Sequence, residues 1–275
     1  MRWTLVLVAM LAACAQEPAP PPPAAPAAET KPAEAAPAEP AAAAEKPSDE
    51  VLVPSPAQIQ KALADAGISA KVEDLVKKDP IPLRAESKDE LAVRLGVELA
   101  DLVLTAKQAP KAETLTRLKK IEEGFALLGA GQDIGKTIDD ISARLQNDAI
   151  NSDDLVAEID ELSRVLVPEV SYEAGERVVP LIQAGGWLAG SHYVAGAIVA
   201  AKKPEAADKL LKQPEVVDYF LKYVRTEGAD KAAPIVITKL ETSLTTLQGV
   251  AKKDKLTLED VQAVYSTTGD VLALL

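Results

Sequence analysis

An all-α fold is the expectation for this chain, a globular multi-helix bundle of about nine or ten helices following a disordered Pro/Ala-rich tether, and three observations predict it. From Val51 onward apolar residues recur at spacings of three and four, with no alternating strand pattern and no hairpin dipeptide between alternating runs. Helix start and stop signals punctuate that region at intervals suited to antiparallel neighbours joined by short loops. A run of 24 residues without a formal charge, Val178 to Ala201, is apolar enough to be the buried centre of such a bundle.

Taken in order, Ser55-Pro56 reads as an N-cap and first helical position, with Ile59 and Leu63 on one face and Gly67 as the stop. A short helix through Val72, Leu75 and Val76 ends near Asp79-Pro80, and Pro80 and Pro82 hold Ile81 and Leu83 extended. Ser87 with Glu90 has the form of a capping box and opens a long helix striped by Leu91, Leu95, Leu99, Leu102 and Val103. After Pro110, Leu115, Leu118, Ile121, Phe125 and Leu128 mark the next helix, closed by Gly129 to Gly131. Asp133 is placed as the cap of a helix carrying Ile134, Ile138, Ile141 and Leu145, and Ser152 as the cap of one carrying Leu155, Ile159, Leu162 and Leu166, which Pro168 ends.

The central stretch follows, starting near Tyr172. Two proline-led helices come next, at Pro204 and Pro214, the second bearing Val216, Val217, Phe220, Leu221 and Val224 and ending at Gly228. Asp230 is expected to cap a helix with Ile237, Leu240, Leu244 and Leu247. Thr257 with Asp260 forms a second capping box, Leu256 can staple on Val261, and the last helix is expected to pause at Gly269. Residues 51–275 are read as one helical domain; two lobes, 51–167 and 168–275, hinged near Pro168, are the runner-up.

The central run needs weighing as a membrane span, since about 20 apolar residues cross the hydrocarbon core. Its eight Val, Leu and Ile residues would contribute only about −2 to −5 kcal/mol to insertion, opposed by Pro180, Gln183, Ser191, His192 and four glycines. A buried helix is the better reading. Gly185, Gly186, Ala189 and Gly190 leave one face almost without side chains, so a neighbouring backbone can approach closely there. The helix carrying Tyr219 and Phe220 is the expected neighbour.

The formal charge of −12 and pI of about 4.7, without a concentrated basic patch, exclude binding that rests on phosphate neutralisation, so no nucleic-acid partner is expected. At the amino terminus Arg2 supplies a positive segment, Leu5 to Leu11 a short apolar one, and Leu11-Ala12-Ala13 a small-residue cleavage site directly before Cys14, the single cysteine. Leu-Ala-Ala-Cys in that setting resembles the lipobox of bacterial lipoproteins. The resemblance covers Met1 to Cys14 only. It implies a signal peptide over 1–13, cleavage before Cys14, and acylation of that cysteine, which would anchor the chain in a membrane. Ala15, where inner-membrane lipoproteins often carry Asp, implies the periplasmic face of the outer membrane. Two or three acyl chains would make such anchoring stable.

With Cys14 acylated the mature domain has no thiol and hence no disulfide, so its stability rests on core packing. Residues 15–50 are mostly Pro, Ala and Glu and hold half of the chain's 20 prolines, a composition that buries too little apolar surface to fold. At about 3.1 Å per residue this tether could extend on the order of 110 Å.

No familiar catalytic arrangement emerges. His192 is the only histidine, with Ala189 where a Glu-x-x-His site would need its carboxylate, and no cysteine is left for zinc, so no metal and no cofactor are expected. Ser191 and His192 are adjacent on a helix and point about 100 degrees apart, which disfavours a nucleophile and its base. Asp139-Asp140 and Asp153-Asp154 read as solvated surface, although carboxylates brought together across helices would be a different matter. The residues that stand out are aromatic. Trp187, Tyr193, Tyr219, Phe220 and Tyr223 crowd into 37 residues with His192 among them, and they form either a filled core or a cleft lined by Trp187, His192, Tyr193, Tyr219 and Tyr223. Arg177 and Arg225 stand at the margins of that group. The expectation is a non-enzymatic, membrane-tethered envelope protein whose helical domain binds or scaffolds an envelope protein or cell-wall component. A carrier of a lipid or small hydrophobic molecule in the aromatic cleft is the alternative, and a hydrolase of unfamiliar type is the third reading.

Overall fold

Two central helices meet at glycines, and the other helices are arranged around them. The computed structural model describes residues 56–68, 72–76, 80–130, 132–162, 175, 178–230 and 234–275. Cys14, the tether, Ser55, Pro168, Tyr172 and Arg177 lie outside the described residues. Among those described there are ten α-helices, two single 3-10 turns and no strand.

Helix α1 spans Pro56–Asp65, and the chain leaves it through Gly67 at φ 64°. The segment through Val72 is a 3-10 turn, Val72–Asp74, and the chain runs extended from Pro80 to α2, Lys88–Thr105. Ser87 caps α2 by accepting from the Glu90 amide at 3.1 Å, yet only this half of the expected box forms. The Glu90 carboxylate accepts instead from the Glu86 amide at 2.9 Å and from Arg94. Helix α3 spans Lys111–Leu128 and ends at Gly129, whose φ of 91° suits a residue without a Cβ. Helix α4 spans Gln132–Gln146, so Asp133 sits inside its first turn, paired with Lys136, and is not its cap. Helix α5, Ser152–Glu161, is capped by Asn151 and not by Ser152: the Asn151 side-chain oxygen accepts from the Asp153 and Asp154 amides, each at 2.9 Å.

Helix α6 is the uncharged stretch itself, Val178–Ala201. A 3-10 turn at Pro204–Ala206 leads into the short α7, Ala207–Leu210, and α8 spans Pro214–Thr226. Helix α9 spans Pro234–Ala251, and the residues between it and Asp230 lie outside those described. Helix α10, Leu258–Leu272, carries the complete Thr257–Asp260 capping box and passes Gly269 without a break.

The most extensive packing in the molecule is α2 against α6, followed by α10 against α6. A Cβ on Gly96 would stand 1.9 Å from the Ile182 carbonyl oxygen, and one on Gly185 would stand 1.9 Å from the Val93 carbonyl oxygen. The glycine face therefore meets α2 and not the helix carrying Tyr219 and Phe220, because Gly96 lets both backbones close to a separation that any side chain would block. Gly190, one turn on, faces Ile59 of α1, whose Cδ1 a Cβ would approach to 2.6 Å. Helices α3 and α4 layer outward from α2, while α9 packs on α8 and α10. The described residues from 56 to 275 fall in one compact unit, and the α2–α6 contact joins the halves on either side of Pro168. No described helix is long and apolar enough to cross a membrane.

Candidate functional site

An apolar cavity of about 150 Å³ lies between α6 and α9. Its floor is α6, through Leu181, Ala184, Trp187 and Leu188, and α8 supplies Phe220, Tyr223 and Val224. The opposite wall is α9, through Val236, Ile237, Leu240 and Leu244, and Asp89 and Glu90 in the first turn of α2 also line the space, with no polar surface open to it. The void follows from how α9 is held. It packs on α8 and α10 and stands off α6, so Leu244 and Leu247 are buried near its C-terminal half while Ile237 and Leu240 are only half-buried and Ile235 is 63% exposed. Exposed ion pairs also bridge to α8, Arg225 to Glu241 at 2.6 Å and Lys252, just past the end of α9, to Asp218 at 3.4 Å.

The two aromatic residues with polar tips spend those tips on the protein. Trp187 Nε1 donates to Gln213 Oε1 at 2.8 Å, and the Tyr223 hydroxyl donates to Asp89 Oδ2 at 3.1 Å. Their rings are left to face the cavity, which suits an apolar group rather than a hydrogen-bonding one. Trp187 is 6% exposed and packs on Phe220 with ring centroids 5.9 Å apart, so it is at once a core residue and a wall of the cavity.

The structure brings only part of the aromatic set together. Trp187 and Tyr223 line the cavity; Tyr219 packs edge-on against Phe220, at 5.3 Å, without lining it. His192 turns the other way, stacked on Tyr265 of α10 at 4.4 Å with Nδ1 at 3.1 Å from both the Tyr265 carbonyl and the Thr268 hydroxyl. Tyr193 points into the α2 interface, where its hydroxyl donates to Asp101 Oδ1 at 2.7 Å. Burial and the Asp101 carboxylate together keep that hydroxyl protonated well above its usual range. Five and six residues from Trp187 are about 140 and 240 degrees around a helix, which is why the three side chains cannot share one cleft.

Tyr193 belongs to a second arrangement that the sequence reading missed. Arg117 of α3, fully buried, lies 3.3 Å from Glu98 and 3.6 Å from Asp101 of α2, with Glu113 at 3.6 Å on its other side. Glu98 also accepts from the Ile81 amide, pinning the extended segment before α2. Desolvation pushes the Glu98 carboxyl above its ordinary range, against the opposing pull of the Arg117 guanidinium. Glu98 and Asp101 both belong to α2 and are bridged by Arg117 of α3, but they are 0% and 2% exposed, and neither lines the cavity. The signal for them was present: Arg117 falls between Thr114, Leu118 and Ile121 on the buried face of α3, and Glu98 and Asp101 interrupt the Leu95, Leu99 and Leu102 stripe. Among the described residues no group of three or more His, Cys, Asp and Glu side chains could hold a metal ion. Asp139, Asp140, Asp153 and Asp154 are all exposed.

The chain matches no protein-family model, no curated protein and no solved structure.

Proposed function

We propose that the chain is a membrane-anchored, non-enzymatic binding protein whose helical domain receives a small apolar group in the cavity between α6 and α9. The observation that carries this reading is the cavity itself, walled by aromatic and aliphatic side chains whose polar tips are already engaged within the protein. Its volume of about 150 Å³ is below the 300 Å³ or so at which drug-sized pockets begin, and it equals that of an engineered cavity able to hold benzene. A complete two-chain lipid does not fit, so the carrier reading narrows to a ligand, or the end of one, about the size of a single ring. The anchor rests on the Leu11-Ala12-Ala13-Cys14 junction, which places acylation at Cys14, with the outer membrane favoured and the tether spanning 15–50.

Titration of the mature chain with 1-hexanol tests the site through Trp187, the one tryptophan left once the signal peptide with Trp3 is gone. A saturable change in emission is expected, abolished by Ala184→Phe with helical content retained. A non-saturable response, or one that survives Ala184→Phe, would defeat the proposal. Fatty-acid labelling lost in Cys14→Ser is the corresponding result for the anchor, and membrane partitioning unchanged in that variant would contradict it.

A further inference from the structure

We infer that the cavity is a slot for a single hydrocarbon chain, and that its ligand is the end of an acyl chain. The inference rests on the cavity being a binding site and adds the class of ligand that its shape takes. The volume is that of one ring, but the shape is not. On α9 the lining residues recur as Val236, Leu240, Ser243 and Leu247, which is the spacing of one helix face over three turns. At a rise of 1.5 Å per residue this face is about 16 Å long. The facing stretch of α6, from Leu181 to Leu188, covers two turns. A space closed around a ring would touch a shorter length of each helix. Spread along the α9 face, a volume of about 150 Å³ admits one chain in single file.

The walls set the chemistry. No polar surface opens into the space, since the Trp187 and Tyr223 tips are bonded to Gln213 and Asp89, and the Ser87 hydroxyl is engaged as the cap of α2. A polar atom carried inside would give up its water without finding a partner, whereas each methylene gains from burial. The head group of the ligand therefore stays outside, and the part that enters is hydrocarbon. Two sources supply such a chain: the acyl group expected on Cys14 at the far end of the tether, and a separate fatty acid or membrane lipid.

Straight-chain alcohols from 1-butanol to 1-decanol, titrated into the unacylated mature chain by calorimetry and by Trp187 emission, test the shape. Affinity is expected to rise about fourfold for each added methylene and to keep rising past 1-hexanol. Ser243→Phe, midway along the α9 face, should keep its helical content and its affinity for 1-butanol but lose the gain from longer chains. Affinity that levels off at 1-hexanol, or a length dependence unchanged in Ser243→Phe, would overturn the inference while leaving the cavity a binding site. Failure of every alcohol to bind saturably would overturn the site reading and this inference together. With vesicles present throughout, the acylated chain separates the two sources. Loss of the 1-octanol response there, with the response kept in Cys14→Ser, assigns the slot to the Cys14 acyl group; equal responses in both assign it to a separate fatty acid or lipid.

Discussion

Arg117 sits fully buried between two carboxylates, and that placement makes a pH-dependent prediction at the scale of single residues. Burial raises the Glu98 carboxyl above the 4.5 of a free glutamate. The folded state therefore holds the proton more tightly than the unfolded state does. The stability this contributes is fully present below 4.5 and is lost as pH rises through the raised value. Glu98→Gln removes the titration but keeps an acceptor for the Ile81 amide, and Asp101 still faces Arg117. Urea unfolding over a pH series should accordingly give a flatter profile for the variant than for the wild type above 4.5. Asp133 and Asp260, whose carboxyls are held low by Lys136 and Lys253 respectively, act in the opposite direction but equally in both proteins. Parallel profiles would show that Glu98 does not titrate as argued. Periodicity marks where a charge falls on a buried face, as it did for Arg117, Glu98 and Asp101, but it does not pair residues on different helices.

The helix ends show what local chemistry determines and what it leaves open. Thr257 and Asp260 are a capping box in the sequence and in the fold, since every atom involved lies within one turn. At Asn151-Ser152 two adjacent residues are both good caps, and the choice fell to Asn151, which reaches two amides at once. Glu90 left its box because Arg94 and the Glu86 amide compete for its carboxylate. The glycine face of α6 was legible, but its partner was not, because Gly96 is a lone glycine in a long helix and only the fold sets it against Gly185. A glycine series measures that contact. Gly185→Ala should cost about 3 kcal/mol or more, as its Cβ would overlap a backbone carbonyl that cannot rotate away. Gly190→Ala should cost less, because the obstructing atom is the end of the Ile59 side chain. Gly249→Ala, with nothing within 4 Å in α9, should stabilise by about 0.4–1 kcal/mol. Similar effects at Gly185 and Gly249 in chemical denaturation would mean that the two helices do not meet as described.

Across the whole molecule, the all-helical architecture was readable because each helix carries its own apolar stripe and most of its own punctuation. The cavity was not, since its walls come from α2, α6, α8, α9 and the end of α10, and no one of these segments announces it. Only α9 held a hint, in the run Ile235-Val236-Ile237 at its first turn, more apolar surface than a helix anchored on two neighbours can bury. The central claim is that α9 stands off α6 over a space able to take an apolar guest. A crystal of the mature chain pressurised with xenon tests it most directly, because xenon enters dry apolar cavities without needing a hydrogen bond. The account predicts a xenon atom among Trp187, Leu188, Phe220 and Leu240, with the helices unmoved. Density showing Ile237 and Leu240 packed directly onto Ala184 and Leu188, and no xenon between them, would contradict it.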